Sequence, residues 1–225
     1  MWIFGKPPKI LFLENHINNL IKSLNKYDIK KKSIRRDIFE VMNKNLSKKN
    51  KYNHLLRIAL NRKIISISLR KRFTPKLNFN LKLVNLERVQ PEYKNLKYKK
   101  IISYLSKMDN TRSDIGLVSK NKILETGTSN LIFIKDDKIF IPKKNYYRGN
   151  TFKYFLDKIP KMYRKDVYIH DLKSYDEILL IGSGKGVTSV KTINQIGWKR
   201  KNLNKYRIFL KFYLQAVKKT KLYKF

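Results

Sequence analysis

The stretch from residue 115 to residue 193 limits most strongly what this chain can fold into. Short apolar runs follow one another there, and small or charged residues such as Asp136-Asp137 separate them. Apolar runs of this length between turn residues predict buried β-strands. A helix at 151–159 interrupts them and ends before Pro160, which cannot continue a helical hydrogen-bond ladder. The predicted strands are 115–118, 123–124, 130–134, 138–141, 167–169, 177–181 and 187–193.

The first ninety residues have a different pattern. Apolar residues recur at helical spacing over 11–27 and 33–46, and alternating residues then predict strands. We place a boundary near Pro91 and expect an α+β chain of two parts. These are a small N-terminal α/β domain at residues 1–90 and a larger C-terminal domain at residues 91–225. The remaining predicted elements are strands at 55–60, 64–69 and 79–86 and helices at 96–108 and 206–217.

Composition excludes several classes of site. Cysteine is absent, so the chain has no disulfide, no thiolate zinc ligand and no cysteine nucleophile. His16, His54 and His170 lie far apart and not in the spacing of metal ligands, so we expect no metal site. No apolar run approaches the ~20 residues of a membrane span, and the N-terminus lacks the apolar stretch of a secretory signal. We therefore expect a cytoplasmic protein without a membrane partner.

The net charge of +37 is the most conspicuous feature of the composition. Such an excess is typical of proteins that bind nucleic acid. Here the excess is mostly lysine, it is spread along the whole chain, and it accompanies abundant asparagine and isoleucine. That combination is expected when codons drift toward A and T. We therefore predict only non-specific affinity for nucleic acid.

Three segments place small and polar residues at strand or helix ends. In the first, Glu125 precedes a Thr-Gly-Thr turn between two apolar strands, which would keep the carboxylate partly buried. In the second, Gly149 opens a helix, and the free N–H groups of a helix N-terminus favour an anion. The third, Gly-Ser-Gly-Lys-Gly at 182–186, lies between two strands. It is not a nucleotide-binding P-loop, because its lysine spacing differs and no helix follows.

Together these segments resemble the class IV aminotransferase and aminodeoxychorismate lyase family of fold-type IV pyridoxal-phosphate enzymes. Residues 125–133 are similar to its Glu-x-x-x-x-Asn-Leu-Phe signature. The resemblance implies that Glu125 faces the pyridine nitrogen of pyridoxal 5'-phosphate and keeps it protonated. The cofactor phosphate would bind at two places. The residues implied there are Gly149, Asn150 and Thr151 at the helix start, and Ser183 and Gly184 in the second turn.

The resemblance also narrows the choice of the lysine that bonds to the cofactor aldehyde. Tyr93-Lys94-Asn95-Leu96 is similar to the family's hydrophobic-Lys-x-Leu segment, and Lys94 lies 31 residues before Glu125, close to the family's separation. We therefore predict Lys94 as the Schiff-base lysine, with Lys97 as the alternative. Burial beside cations would lower the pKa of this amine, which suits both bond formation and proton transfer.

The chain departs from the family pattern at several positions. Asn19 and Phe152 stand where the family usually has arginine, and Ser189 replaces a common proline. Only ten residues precede the first predicted helix, so we expect the family's first strands to be missing and the N-terminus to be truncated. These departures would favour an inactive family member.

The resemblance implies a D-amino acid aminotransferase-like architecture, with the cofactor between the two parts and a homodimer as the assembly. The implied activity is Schiff-base chemistry on an amino acid or amino-chorismate, as an aminotransferase or as a 4-amino-4-deoxychorismate lyase. Both reactions begin with deprotonation at Cα and use the same residues. The alternatives are a basic nucleic-acid-binding protein and a catalytically inactive family member.

Overall fold

All 225 residues are described by the computed structural model. Backbone contacts separate two units, which we call unit 1 (residues 1–72 and 215–225) and unit 2 (residues 73–214). The helices are α1 (Leu13–Lys26), α2 (Ile34–Asn45), α3 (Lys99–Leu105), α4 (Asn150–Lys158) and α5 (Asn204–Lys218). The strands are β1 (Trp2–Gly5), β2 (Lys9–Ile10), β3 (Tyr52–Leu60), β4 (Ile65–Lys71), β5 (Asn78–Asn85), β6 (Ser113–Ser119), β7 (Lys122–Thr126), β8 (Asn130–Lys135), β9 (Lys138–Pro142), β10 (Met162–Lys165), β11 (Glu177–Gly182), β12 (Gly186–Ile193) and β13 (Trp198–Lys199).

Unit 1 is a four-stranded antiparallel sheet with helices α1 and α2. Its strand order is β2-β1-β3-β4. The core contains Ile17 of α1, Ile38 and Met42 of α2, and Leu56 of β3. Burial of these apolar side chains removes them from water and supplies most of the stabilisation of such a layer.

Unit 2 contains a mixed nine-stranded sheet with the order β10-β9-β8-β11-β12-β5-β6-β7, and β13 pairs with β12. β5 is parallel to both of its neighbours, β6 and β12. The residues 127–129 lead directly from β7, at the end of this order, to β8 near its other end, so the sheet curls. Its core includes Phe79, Phe133, Leu180, Val190 and Trp198.

The mixed α+β class is confirmed, and most predicted strands occur within two or three residues of their expected bounds. The strand predicted at 167–169 is wrong. β10 lies earlier and pairs in parallel with β9, whereas Tyr168 makes only an isolated bridge to Lys122. Val167 is nevertheless buried in the core, which explains its apolar character. Two short strands, β1 and β2, precede α1. Whether further strands of the family are missing before them stays a prediction.

The units also divide the chain at a different place from the predicted boundary at residue 90. The division follows Arg72, because β5 pairs with strands of the unit 2 sheet. Residues 215–225 return to unit 1. Whether these units are the functional domains stays a prediction. None of the helices has both the length and the apolar character needed to cross a membrane.

Candidate active site

The buried carboxylate of Glu125 is the centre of the site. Glu125 lies near the end of β7, and its side chain is 5% exposed. Nε of Arg88, which follows β5, donates to Glu125 Oε1 at 2.9 Å, and a terminal nitrogen of Arg88 donates to the Gly127 carbonyl at 3.2 Å. Burial raises the pKa of Glu125, against the opposing effects of the Arg88 charge and of a hydrogen bond from the Tyr147 backbone.

Lys94 directs its amine into the same site. Its Nζ lies 4.3 Å from the centroid of the Tyr147 ring, although much of the residue is at the surface. Desolvation of the amine lowers the pKa of Lys94 to about 8, and the positive charge of Arg88 acts in the same direction. Glu125 opposes this change, so all three charged groups act on one another. By contrast, Lys97 is exposed and its amine makes no ion pair or hydrogen bond.

Tyr147 connects the amine to the rest of the site. Burial raises the pKa of its hydroxyl to about 12, so the phenol is neutral at physiological pH. Its carbonyl accepts a hydrogen bond from Nδ2 of Asn130 at 2.5 Å. Asn130 is the first residue of β8, and the turn at 127–129 connects it to β7, which contains Glu125. This hydrogen bond holds the backbone of Tyr147, whose ring faces the Lys94 amine, against the first residue of β8.

The start of α4 is held to the same asparagine. Oδ1 of Asn130 accepts from the Gly149 N–H at 3.1 Å. Gly149 precedes α4, and no side chain caps the helix. Thr151, in the first turn, is fully buried, and its hydroxyl has no hydrogen-bond partner in the protein. A buried, unpartnered hydroxyl beside uncapped helix N–H groups suits an anion.

The second predicted turn joins β11 to β12. Gly182 pairs with Gly186 across it, and Ser183 and Gly184 lie between them. A Cβ at Gly182 would lie 3.1 Å from both the Thr128 carbonyl oxygen and Ser129 Oγ, so this turn adjoins the turn after Glu125. Asn130 at the start of β8 pairs with Ile181 near the end of β11. The Gly149 segment, which is bonded to Asn130, and the Ser183–Gly184 turn therefore lie at the same end of the sheet.

Sequence reasoning missed three contacts of this site. Arg88 lies in a loop with no recognisable pattern, and nothing in the sequence indicated its ion pair. Asn130 was part of the quoted signature without an assigned contact, and Tyr147 lies four positions before the helix predicted at 151–159. Phe152 is fully buried and packs against Tyr146, so the position where the family usually has arginine carries a core residue here. A surface pocket exists elsewhere, lined by Asn121, Ile169, His170, Lys173 and Ile196.

A sequence model described as amino-transferase class IV matches residues 3–193, which is more than four-fifths of the chain. The chain belongs to the class IV aminotransferase family. No match to a curated protein was found. Solved structures give the same fold at low sequence identity, and the predicted fold-type IV architecture is confirmed.

Three of these structures are named as aminotransferases or as a 4-amino-4-deoxychorismate lyase. A branched-chain aminotransferase from Thermoproteus uzoniensis, with norvaline, has a TM-score of 0.76 at 13% identity, covering 96% of this chain and 82% of that one. A protein from Legionella pneumophila provisionally named 4-amino-4-deoxychorismate lyase has a TM-score of 0.73 at 15% identity, covering 96% and 89%. A hypothetical aminotransferase from Mycobacterium tuberculosis, in its PLP-bound form, has a TM-score of 0.75 at 14% identity, covering 96% and 87%.

Class IV aminotransferases use pyridoxal phosphate, and the residues of this chain fit that cofactor. The unpartnered Thr151 hydroxyl and the uncapped start of α4 suit the phosphate. Glu125 suits a protonated ring nitrogen because it is a buried carboxylate. The lowered pKa of Lys94 suits an amine that bonds to an aldehyde.

Proposed function

We propose that this class IV aminotransferase family member binds pyridoxal 5'-phosphate at the site around Glu125 and uses Lys94 as its Schiff-base lysine. The observation that carries the proposal is the common environment of the Lys94 amine and the Glu125 carboxylate. Each of these two groups affects the pKa of the other. Arg88 donates a hydrogen bond to Glu125 and lowers the pKa of Lys94, while Tyr147 faces the Lys94 amine with its ring and hydrogen-bonds Glu125 through its backbone. Glu125 would hold the pyridine nitrogen. The phosphate would bind at Gly149, Asn150 and Thr151 and at Ser183 and Gly184.

The bound cofactor would supply an electron-withdrawing ring that stabilises negative charge at the Cα of an amino substrate. Lys94 would remove and return the proton at Cα, since an amine with a pKa of about 8 exchanges protons readily near neutral pH. The hydrogen bond from Arg88 to Oε1 would favour the negative charge of Glu125 next to the ring, against the effect of burial. The hydroxyl of Thr151 and the first N–H groups of α4 would orient the phosphate.

The substrate would be an amino acid with its 2-oxo acid partner, or an amino-chorismate. Transamination and pyruvate elimination begin with the same proton transfer at Cα, so the proposed residues serve both reactions. A homodimer is also part of the proposal. Val89, Leu96 and Ile102, on either side of Lys94, are 50–60% exposed, and a second copy of the chain would cover such apolar side chains. A cytoplasmic location stays a prediction.

Reductive trapping tests the cofactor site. Protein purified with pyridoxal phosphate should be yellow, and borohydride should fix the cofactor on the peptide that contains Lys94. Lys94→Met should abolish the adduct, whereas Lys97→Met, a matched change three residues away, should leave it intact. Mass spectrometry of the digested protein gives the result. An adduct on Lys97, or none on the wild-type protein, would refute the assignment.

Two assays then separate the reactions. Transfer of an amino group to a 2-oxo acid would identify an aminotransferase, and release of pyruvate from aminodeoxychorismate would identify a lyase. Both activities should be lost in Lys94→Met. Wild-type protein that binds the cofactor on Lys94 but catalyses neither reaction would be the inactive family member.

A further inference from the structure

The turn between β11 and β12 contains a lysine that the proposed chemistry does not use. Lys185 belongs to the Gly-Ser-Gly-Lys-Gly sequence, yet its side chain is only 8% exposed. Its Nζ lies 2.8 Å from Oδ2 of Asp114, at the start of β6, and also donates to the hydroxyl of Thr128. The amine therefore points into the protein and away from any ligand of the turn.

The carboxylate of Asp114 is fully buried and completely hydrogen-bonded. Its Oδ2 accepts from the hydroxyls of Thr126 and Thr128, each at 2.7 Å, and its Oδ1 accepts from the Ile115 N–H at 2.8 Å. A buried ion pair is tolerated when its remaining hydrogen-bonding capacity is satisfied in this way. The Lys185 amine thus joins the turn to the segment that follows Glu125.

Close packing holds the turn at its two ends. Gly186 has φ +70°, and a Cβ there would lie 2.7 Å from Cε1 of Tyr213. Gly182 abuts the Thr128 carbonyl at the other end. Between these glycines, the Lys185–Asp114 contact is the ion pair that fixes the turn, and it immediately follows Ser183 and Gly184.

We propose that Lys185 is a positioning residue whose ion pair with Asp114 fixes the Ser183–Gly184 backbone toward the cofactor phosphate. The proposal rests on the proposed function, because the phosphate is the group to be oriented. This role accounts for a lysine in the turn whose charge, neutralised by Asp114, does not face the phosphate. Lys185 contributes geometry to the phosphate site, and the ligands are supplied by its neighbours.

Binding of pyridoxal phosphate and of pyridoxal, which lacks the phosphate, tests this role. Lys185→Met should weaken pyridoxal phosphate binding about ten- to hundredfold, the range expected for losing a charged hydrogen bond. Pyridoxal binding should change by less than about threefold, since that ligand makes no phosphate contact. Equilibrium titration of the cofactor-free protein, followed by absorbance, gives both constants. Lys201→Met removes the ion pair to Asp176, at the opposite end of β11, and should change neither constant.

The single change leaves Asp114 buried without its cation and can prevent folding. The double variant Lys185→Met/Asp114→Asn removes both charges, and it should fold and still bind pyridoxal phosphate weakly and pyridoxal normally. Wild-type affinity for pyridoxal phosphate in the double variant would overturn the proposal, as would an equal loss for both ligands. If the wild-type protein bound neither ligand, the proposed function itself would be wrong.

Discussion

The protonation of Lys94 depends on the side chains around its amine. Desolvation and Arg88 favour the neutral amine, whereas Glu125 favours the ammonium. The face of the Tyr147 ring, 4.3 Å from Nζ, also favours the ammonium, because an aromatic face attracts a cation. Because the neutral amine is the nucleophile, the rate at which pyridoxal phosphate attaches should rise as the pH is raised through about 8.

Tyr147→Leu should lower the pKa of Lys94 by about 1, because a cation–π contact is worth roughly 0.5–2 kcal/mol. Tyr147→Phe keeps the ring and should leave the pKa unchanged. NMR titration of the cofactor-free protein after 13C-methylation of its lysines measures the pKa, and Lys94→Met identifies the resonance. If Tyr147→Leu and the wild-type protein titrated alike, the ring would have no influence on the amine.

At this scale the sequence was informative where a pattern existed. Glu125 and Lys94 were paired through a family resemblance, and the structure brings their charges together. Arg88 could not be predicted, because its partner is determined by how the loop after β5 folds over β7. The sequence excluded a P-loop at 182–186 but did not indicate the partner of Lys185, because Asp114 lies 71 positions away and only the folded sheet brings the two together.

Among the elements, helix α5 depends on one buried acid. Glu177 of β11 is fully buried, and its carboxylate accepts from the backbone N–H groups of Lys205 at 2.8 Å and Tyr206 at 3.0 Å. These are N–H groups of the first turn, which have no partner within the helix and where the helix dipole favours negative charge. The strand thereby fixes the point at which α5 begins.

Glu177→Gln should lower the free energy of unfolding by about 1–3 kcal/mol, because a neutral amide replaces a buried, charged acceptor of two backbone N–H groups. Urea denaturation followed by circular dichroism measures the loss. Asp137→Asn is a matched control, since Asp137 pairs with Lys205 at the surface and is 82% exposed. That variant should be as stable as the wild-type protein. Equal effects of the two changes would show that general charge, and not the buried acceptor, stabilises α5.

Element types were predicted well because most strands are short apolar runs between turn residues. The error at residues 167–169 has a physical cause. β10, with the sequence Met-Tyr-Arg-Lys, is half polar and largely exposed, so its pattern carries little signal. β10 forms a strand because it pairs in parallel with the edge of β9. Only the tertiary structure brings these two segments together. Val167 looks like a strand residue because it is buried.

For the whole molecule, the +37 charge should produce salt-sensitive binding to nucleic acid. A chain that contacts six to ten phosphates loses about 10³-fold or more in affinity between 50 and 200 mM salt. We expect single-stranded RNAs of different sequence to bind equally at low salt and to dissociate at 200 mM. Fluorescence anisotropy at both salt concentrations measures this. Retention of one sequence but not its scrambled form at 200 mM would favour a selected nucleic-acid function.

The division into units was the least predictable property. Pro91 is a reasonable local sign of a break, but β5, which precedes it, pairs with β6 and β12. A strand's membership in a sheet depends on partners far along the chain, and local sequence does not encode them.

The position of β5 also affects how the protein is made. Asn78 pairs with Ser189, so a ribosome adds more than a hundred residues before β5 gains its second neighbour. Until then the nascent chain exposes an unpaired strand edge flanked by Phe79, Leu81 and Leu83, and edges of this kind associate with other chains. Formation of the sheet must wait until β12 has been synthesised, and chaperones that shield nascent chains should affect the yield of native protein.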